Sequence, residues 1–272
     1  MQRISIPYKN SQISCLVFGE GRDILVAFHG FGDRAALFLK LEPSLGKKYK
    51  IYAIDLPYHG HTVWKEDKFN EKVFLSTVNV IRKIENIELI TLLGYSFGCK
   101  IVQRIFLRQS KRTKHLILLA PDGFYNRFIF EITMIPKPIR YAMRWILNRP
   151  IWFVKILEFF YRLGVINRFI FQFTKRHLNN IQRRARLFAY WISMDDFDLR
   201  KPFFIKKANS RDARIDYFCG TSDDVVSISK VREFTSNIKN TYVHELDTDH
   251  NIIGDALNES LSLCIYDSWS VM

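Results

Sequence analysis

The 272-residue sequence predicts an α/β fold: a mostly parallel, twisted sheet of about eight strands, with an α-helical subdomain inserted in its middle. Three observations predict it. Short apolar runs alternate with helix-length amphipathic segments over residues 1–123. That alternation stops between residues 124 and 201, where no convincing strand appears. It resumes over residues 202–272. The hydrophobic fraction of 48% and charged fraction of 25% are those of an ordinary globular chain. They exclude bulk disorder, collagen and coiled coil.

Residues 3–5 and 14–18 are short β-rich runs that predict an antiparallel edge hairpin. Residues 23–29 (DILVAFH), 49–56 (YKIYAIDL), 88–94 (ELITLLG) and 115–120 (HLILLA) are continuous runs bounded by Gly, Pro and Asp. Such runs predict strands buried on both faces of a parallel sheet. Helix-length segments lie between them at 35–45, 72–87 and 97–109. Strand–helix–strand alternation implies right-handed crossovers and a doubly wound sheet. After the insert, 213–219 (ARIDYFC) and 241–246 (TYVHEL) predict strands, and 229–237 and 258–269 predict helices.

The insert at 124–201 holds 18 aromatic residues and 15 Lys/Arg against 5 Asp/Glu. Pro136, Pro138, Pro150 and Gly164 divide it into helices of one to three turns. It carries +10 of the net charge of +14. A field of that sign predicts a solvated basic surface, peripheral contact with an anionic membrane, or binding of an anionic substrate group. The cluster of Arg176, Arg183, Arg184 and Arg186 would also suit nucleic acid, which ranks below these. Cys15, Cys99, Cys219 and Cys264 form no C-x-x-C pair, so they predict reduced thiols in a cytoplasmic protein. The N-terminus shows no apolar signal-peptide core. No charge-free run approaches the roughly 20 residues of a membrane span. The expectation is a soluble, cytoplasmic chain, with peripheral membrane association as the open variant.

The residues that carry chemistry begin at Gly94-Tyr95-Ser96-Phe97-Gly98. This is G-x-S-x-G between a predicted buried strand and an amphipathic helix. A Ser at the tip of a tight strand-to-helix turn has an exposed hydroxyl at a helix N-terminus, where N–H groups favour developing negative charge. Its neighbours two residues away must be small. No P-loop and no G-x-G-x-x-G follow a strand, so no nucleotide cofactor is implied. His29, His59 and His61 have no metal-ligand spacing and read as structural. Cys99 sits on the first turn after Ser96 and reads as buried packing rather than a reactive thiol.

Three motifs in order resemble the α/β-hydrolase fold family. His29-Gly30-Phe31-Gly32 is similar to that family's oxyanion motif. Asp55-Leu56-Pro57-Tyr58-His59-Gly60-His61-Thr62 is similar to its D-x-P-G-H-G-x-S stretch, with Tyr58 in place of Gly. Gly94–Gly98 is similar to its nucleophile elbow. The resemblance implies Ser96 as nucleophile, His250 as general base and Asp223 as the orienting acid, in the family's chain order. Asp223 lies in Gly220-Thr221-Ser222-Asp223-Asp224-Val225-Val226, similar to the family's acid loop. Asp224 next door and Asp122, after the strand that follows the nucleophile helix, remain alternatives. His250 follows Asp249 where the family usually has Gly, and a carboxylate there would raise the imidazole pKa. The resemblance further implies an oxyanion hole from the backbone N–H groups of Phe31 and Phe97. The insert becomes a cap over the active site, with Tyr95, Trp152 and Trp191 among the substrate-binding residues. Ser96 rather than Asp favours acyl transfer over displacement at alkyl carbon.

The expected activity is therefore a cofactor-independent serine hydrolase cleaving a carboxylic ester or thioester, with a small-molecule acyl substrate and no metal. A carbon–carbon bond hydrolase, an acyltransferase on the same triad, and a ligand-binding protein that kept the fold without turnover are the alternatives.

Overall fold

The computed structural model describes residues 1–124, 150–166, 171–172, 175, 181–211 and 213–266. Its strands are β1 (Gln2–Tyr8), β2 (Ser11–Phe18), β3 (Asp23–Phe28), β4 (Tyr49–Ile54), β5 (Ile90–Tyr95), β6 (Thr113–Leu119), β7 (Arg214–Gly220) and β8 (Thr241–Leu246). They form one eight-stranded sheet in the order β1-β2-β4-β3-β5-β6-β7-β8. The β1–β2 and β2–β4 pairings are antiparallel, and every pairing from β3 to β8 is parallel. The edge hairpin is longer than the short runs at 3–5 and 14–18. Its register pairs Gln2 with Val17 and Tyr8 with Ser11.

The helices are α1 (Glu42–Leu45), α2 (Glu71–Glu85), α3 (Phe97–Gln109), α4 (Pro150–Arg162), α5 (Ile181–Ser193), α6 (Lys201–Asn209), α7 (Ile228–Thr235) and α8 (Asp255–Tyr266). The helix expected over 35–45 divides into a 3-10 segment, Ala35–Leu41, and the single turn α1. Pro43 has no N–H, so an α-helical hydrogen bond cannot pass through that position. Helix α2 has clear ends. Asn70 caps it by accepting from the Lys72 N–H at 3.0 Å, and Asn86 closes it in the left-handed region at φ 50°.

Strands β3, β5 and β6 are buried along almost their whole length, as expected for a sheet covered on both faces. One face packs Phe38, Leu41 and Leu45 against Leu257, Leu261 and Ile265 of α8. The chain divides into two compact units. The first comprises residues 1–65, 70–131 and 197–272, and the second comprises 66–69 and 132–196. The second holds α4 and α5. Within it the Phe69 N–H donates to Ser193 Oγ at 3.3 Å.

Candidate active site

The first unit contains every residue of the serine-centred cluster. Ser96 follows β5 and sits at φ 50°, ψ −115°, a backbone conformation that L-residues rarely adopt. The surroundings hold it there. Its N–H donates to Leu119 at 2.9 Å, and its carbonyl accepts from Cys99 at 2.9 Å and Asp122 at 3.3 Å. The flanking glycines are required by space. A Cβ on Gly98 would lie 1.8 Å from the Phe28 carbonyl oxygen, and one on Gly94 would lie 2.6 Å from the Cys99 backbone. An N-cap serine ordinarily turns its hydroxyl onto its own helix. Ser96 makes no such bond, and its Oγ lies 3.1 Å from His250 Nε2.

His250 lies four residues beyond β8, and Asp223 three residues beyond β7. Asp223 Oδ2 lies 2.8 Å from His250 Nδ1, and Oδ1 accepts the N–H groups of Val225 at 2.7 Å and Val226 at 2.9 Å. Burial alone would raise the Asp223 carboxyl. The hydrogen bond and charge of His250, with the two backbone donors, outweigh that and hold it below the usual carboxylate range. Gly220 lets the two loops meet, because a Cβ there would lie 2.4 Å from the Thr248 carbonyl oxygen. Asp224 is exposed. Asp122 lies 3.6 Å from Lys100 Nζ in a buried pair. Of the three aspartates considered from sequence, Asp223 is the one brought to His250. Asp249 is exposed and accepts the Asn251 N–H at 2.7 Å.

Phe31 and Phe97 are the expected oxyanion donors. Phe97 opens α3, so its N–H belongs to the free first turn of that helix. Phe31 lies in the loop after β3, and two buried histidines shape that loop. His29 Nδ1 lies 2.7 Å from the Gly30 carbonyl, and its Nε2 accepts the Leu56 N–H at 3.1 Å. His59 Nδ1 lies 2.8 Å from the Pro57 carbonyl, and its Nε2 accepts the Gly32 N–H at 3.0 Å. A carbonyl only accepts and an N–H only donates, so both rings are assigned as neutral with the proton on Nδ1. The His59 ring also meets the Phe31 ring edge-on at 5.6 Å.

Asp55, from the D-x-P-like stretch, is buried and accepts from the Ala35 N–H, the His61 N–H and the Arg3 guanidinium. It ties that loop to the sheet edge.

Sequence reasoning overlooked Asp33. A Cβ on Gly30 would find Asp33 Oδ2 at 3.1 Å and Ser96 Cβ at 3.2 Å, so both residues pack against Gly30. Burial pushes Asp33 up to about 6, against the opposing charge of His250. The signal was a lone acid two residues past the His-Gly-Phe tripeptide, which no spacing rule singles out.

Tyr95, expected at the substrate, is 5% exposed, and its hydroxyl donates to the His250 carbonyl at 3.1 Å. It supports the histidine loop. Trp152 lies on α4 and is 67% exposed. Trp191 lies on α5, and its side chain is outside the described residues. Phe124 is buried against Tyr217 and Phe234, in the core of the first unit. Cys99 is fully buried, and burial raises its thiol far above the ordinary value.

A second polar cluster lies toward the amino ends of the same strands. Asp216 on β7 is fully buried. It lies 2.6 Å from His115 Nε2, His244 Nε2 and Arg214 Nε. Burial would raise its carboxyl, but these three donors hold it far below the usual range. Asp216, His244 and Cys264 are close enough to share a metal ion. However, Arg214 Nη2 already lies 3.1 Å from both Asp216 Oδ1 and Cys264 Sγ. A guanidinium occupies the place of a cation, and the cluster cross-links β6, β7 and β8.

Parallel strands whose carboxyl ends carry a strained serine and a histidine define an α/β protein of the nucleophile-turn class. Residues 23–187 match the family model for the alpha/beta hydrolase fold, and the chain belongs to that family. It is similar to a probable 1-acylglycerol-3-phosphate O-acyltransferase of Oryza sativa subsp. japonica, 30% identical over 110 residues, or 39% of this chain and 27% of that protein. It is also similar to a (lyso)-N-acylphosphatidylethanolamine lipase of Mus musculus, 28% identical over 149 residues, or 53% of this chain and 42% of that protein. The match thus spans less than half the length of these curated relatives. A thioesterase domain from the curacin biosynthetic pathway superposes with a TM-score of 0.64 over 97% of this chain and 98% of its own, at 13% identity. At that identity the likeness concerns the fold alone. Among the described residues, no helix is long and apolar enough to cross a membrane.

Proposed function

We propose that this chain is a cofactor-independent serine hydrolase that cleaves a carboxylic ester or thioester through an acyl-enzyme. The observation that carries the reading is the continuous line from Ser96 Oγ to His250 Nε2 at 3.1 Å and from His250 Nδ1 to Asp223 Oδ2 at 2.8 Å. In this reading Ser96 Oγ adds to the acyl carbon while His250 Nε2 takes its proton. The carbonyl oxygen becomes an oxyanion that the N–H groups of Phe97 and Phe31 receive. The bond to the leaving oxygen or sulfur then breaks, and His250 returns the proton to it. A water molecule, deprotonated by His250, releases the acid and restores Ser96. Asp223 keeps the Nδ1 proton in place and stabilises the imidazolium.

The relatives' names speak of N-acylphosphatidylethanolamine and 1-acylglycerol-3-phosphate, so acylated phosphate lipids are the first substrate class to test. The rice relative also supports a second reading, in which an alcohol replaces water as acyl acceptor. Fluorophosphonate labelling of wild type, Ser96→Ala and His250→Ala tests the chemistry. Labelling that requires both residues is expected. A folded wild type that resists the probe and hydrolyses no ester in a panel of increasing acyl length would overturn the reading. Product analysis with glycerol present separates hydrolysis from transfer.

A further inference from the structure

Helix α4 in the second unit presents an apolar stripe to solvent. Trp152 is 67% exposed, Ile156 45%, Phe159 59% and Leu163, just past its end, 59%. Their spacings of four, three and four residues place them within an arc of about 60° on a helix. Leu157, on another face, is buried. Beside the stripe stand the exposed Lys155 and Arg162, with Lys155 Nζ 5.7 Å from the centre of the Trp152 ring.

Large apolar side chains in a row on one surface call for a cover. The charge decides between covers. The chain carries +14, of which residues 124–201 hold 15 Lys/Arg against 5 Asp/Glu. A second copy of the chain would bring the same charge to the contact and be repelled, whereas an anionic surface would be attracted. The helix has 13 residues, about 20 Å, too short to cross a bilayer. Trp and Phe on one face, with Lys and Arg along one edge of it, suit a helix lying in the interface.

We propose that α4 is a membrane-docking helix. Its Trp152–Ile156–Phe159–Leu163 stripe enters the boundary between headgroups and acyl chains of an anionic bilayer, and Lys155 and Arg162 pair with the lipid headgroups. The inference does not depend on the serine chemistry and is tested without turnover.

The experiment is co-sedimentation of the full chain with vesicles of phosphatidylcholine alone and of phosphatidylcholine mixed equally with phosphatidylserine. Wild type is expected to sediment with the mixed vesicles, less with phosphatidylcholine alone, and less as salt is raised. Ile156→Glu/Leu163→Glu should weaken binding by more than about tenfold, the scale of two side chains withdrawn from an apolar phase. Lys155→Ala/Arg162→Ala should reduce the preference for the mixed vesicles and flatten its dependence on salt. Both pairs of positions are exposed, and circular dichroism confirms that the variants fold. Wild type that stays in the supernatant at low salt overturns the proposal. So does a folded Ile156→Glu/Leu163→Glu variant that sediments like wild type, or a stripe-dependent dimer that binds no vesicle.

Discussion

Asp223 Oδ2 lies 2.8 Å from His250 Nδ1, on the opposite side of the imidazole from Ser96 Oγ, across 27 residues of sequence. The neighbouring carboxylate of Asp224 points to solvent. This predicts a sharp functional difference between adjacent aspartates. Asp223→Asn should lower kcat by roughly a thousandfold to ten-thousandfold, because the amide no longer holds the Nδ1 proton. Asp224→Asn and Asp122→Asn should stay within a few fold. Steady-state kinetics on a short-chain ester checks this, and equal losses at 223 and 224 would refute it.

The elbow glycines predict a steric result. Gly98→Ala places a Cβ 1.8 Å from the Phe28 carbonyl oxygen. It should cost about 3 kcal/mol or more and abolish labelling. Gly254 has nothing within 4 Å of such a Cβ, so Gly254→Ala should leave Tm nearly unchanged. Thermal melts of the two variants side by side are the measurement.

His59 predicts an effect on rate through position alone. Its Nε2 accepts the Gly32 N–H, one residue from Phe31. His59→Ala should loosen the oxyanion loop and lower kcat by roughly tenfold or more, with a smaller change in KM. An unchanged kcat in a folded variant would remove His59 from the loop's support.

Asp33 predicts a pH dependence of stability. Its carboxyl is raised from 3.8 to about 6 in the folded chain. Between those values the folded state holds a proton that the unfolded chain has lost. Asp33 therefore contributes a fall in stability as pH rises through that window. Asp33→Asn cannot ionise, so its stability relative to wild type should increase from pH 4 to pH 6. Denaturant midpoints across that range decide it, and parallel curves would contradict the assignment.

Asp216 gives the opposite sign. Three donors hold its carboxyl low, so its stabilisation is present above the unfolded value and is lost as pH falls toward the folded one. Asp216→Ala leaves His115, His244 and Arg214 around an empty acceptor in a buried place. It should cost about 3–5 kcal/mol. Urea unfolding at neutral pH measures it. Little change would show that the strands are held by their ladders alone.

The fold class was legible in the sequence because its signals are local. A strand buried on both faces must be apolar throughout, so β3 to β6 were marked by composition. The elbow was legible because a strained turn demands small residues at fixed offsets from Ser96. The order of serine, acid and histidine along the chain narrowed the site to a few loops. Lateral neighbours are set by strand order and loop path, which one sequence does not encode locally. The resemblance pointed to Asp223 but left Asp224 open, since the choice depends on which of two adjacent side chains faces a histidine on the next strand's loop, and the tertiary structure brings Asp223 there. It joined the Tyr95 hydroxyl to the His250 carbonyl, and it brought Asp33 and Ser96 to the same glycine, Gly30. It also gathered His115, Asp216 and His244 from three strands into one buried cluster. These contacts join residues far apart in sequence, and the energy of burying their charges exists only once the strands are side by side.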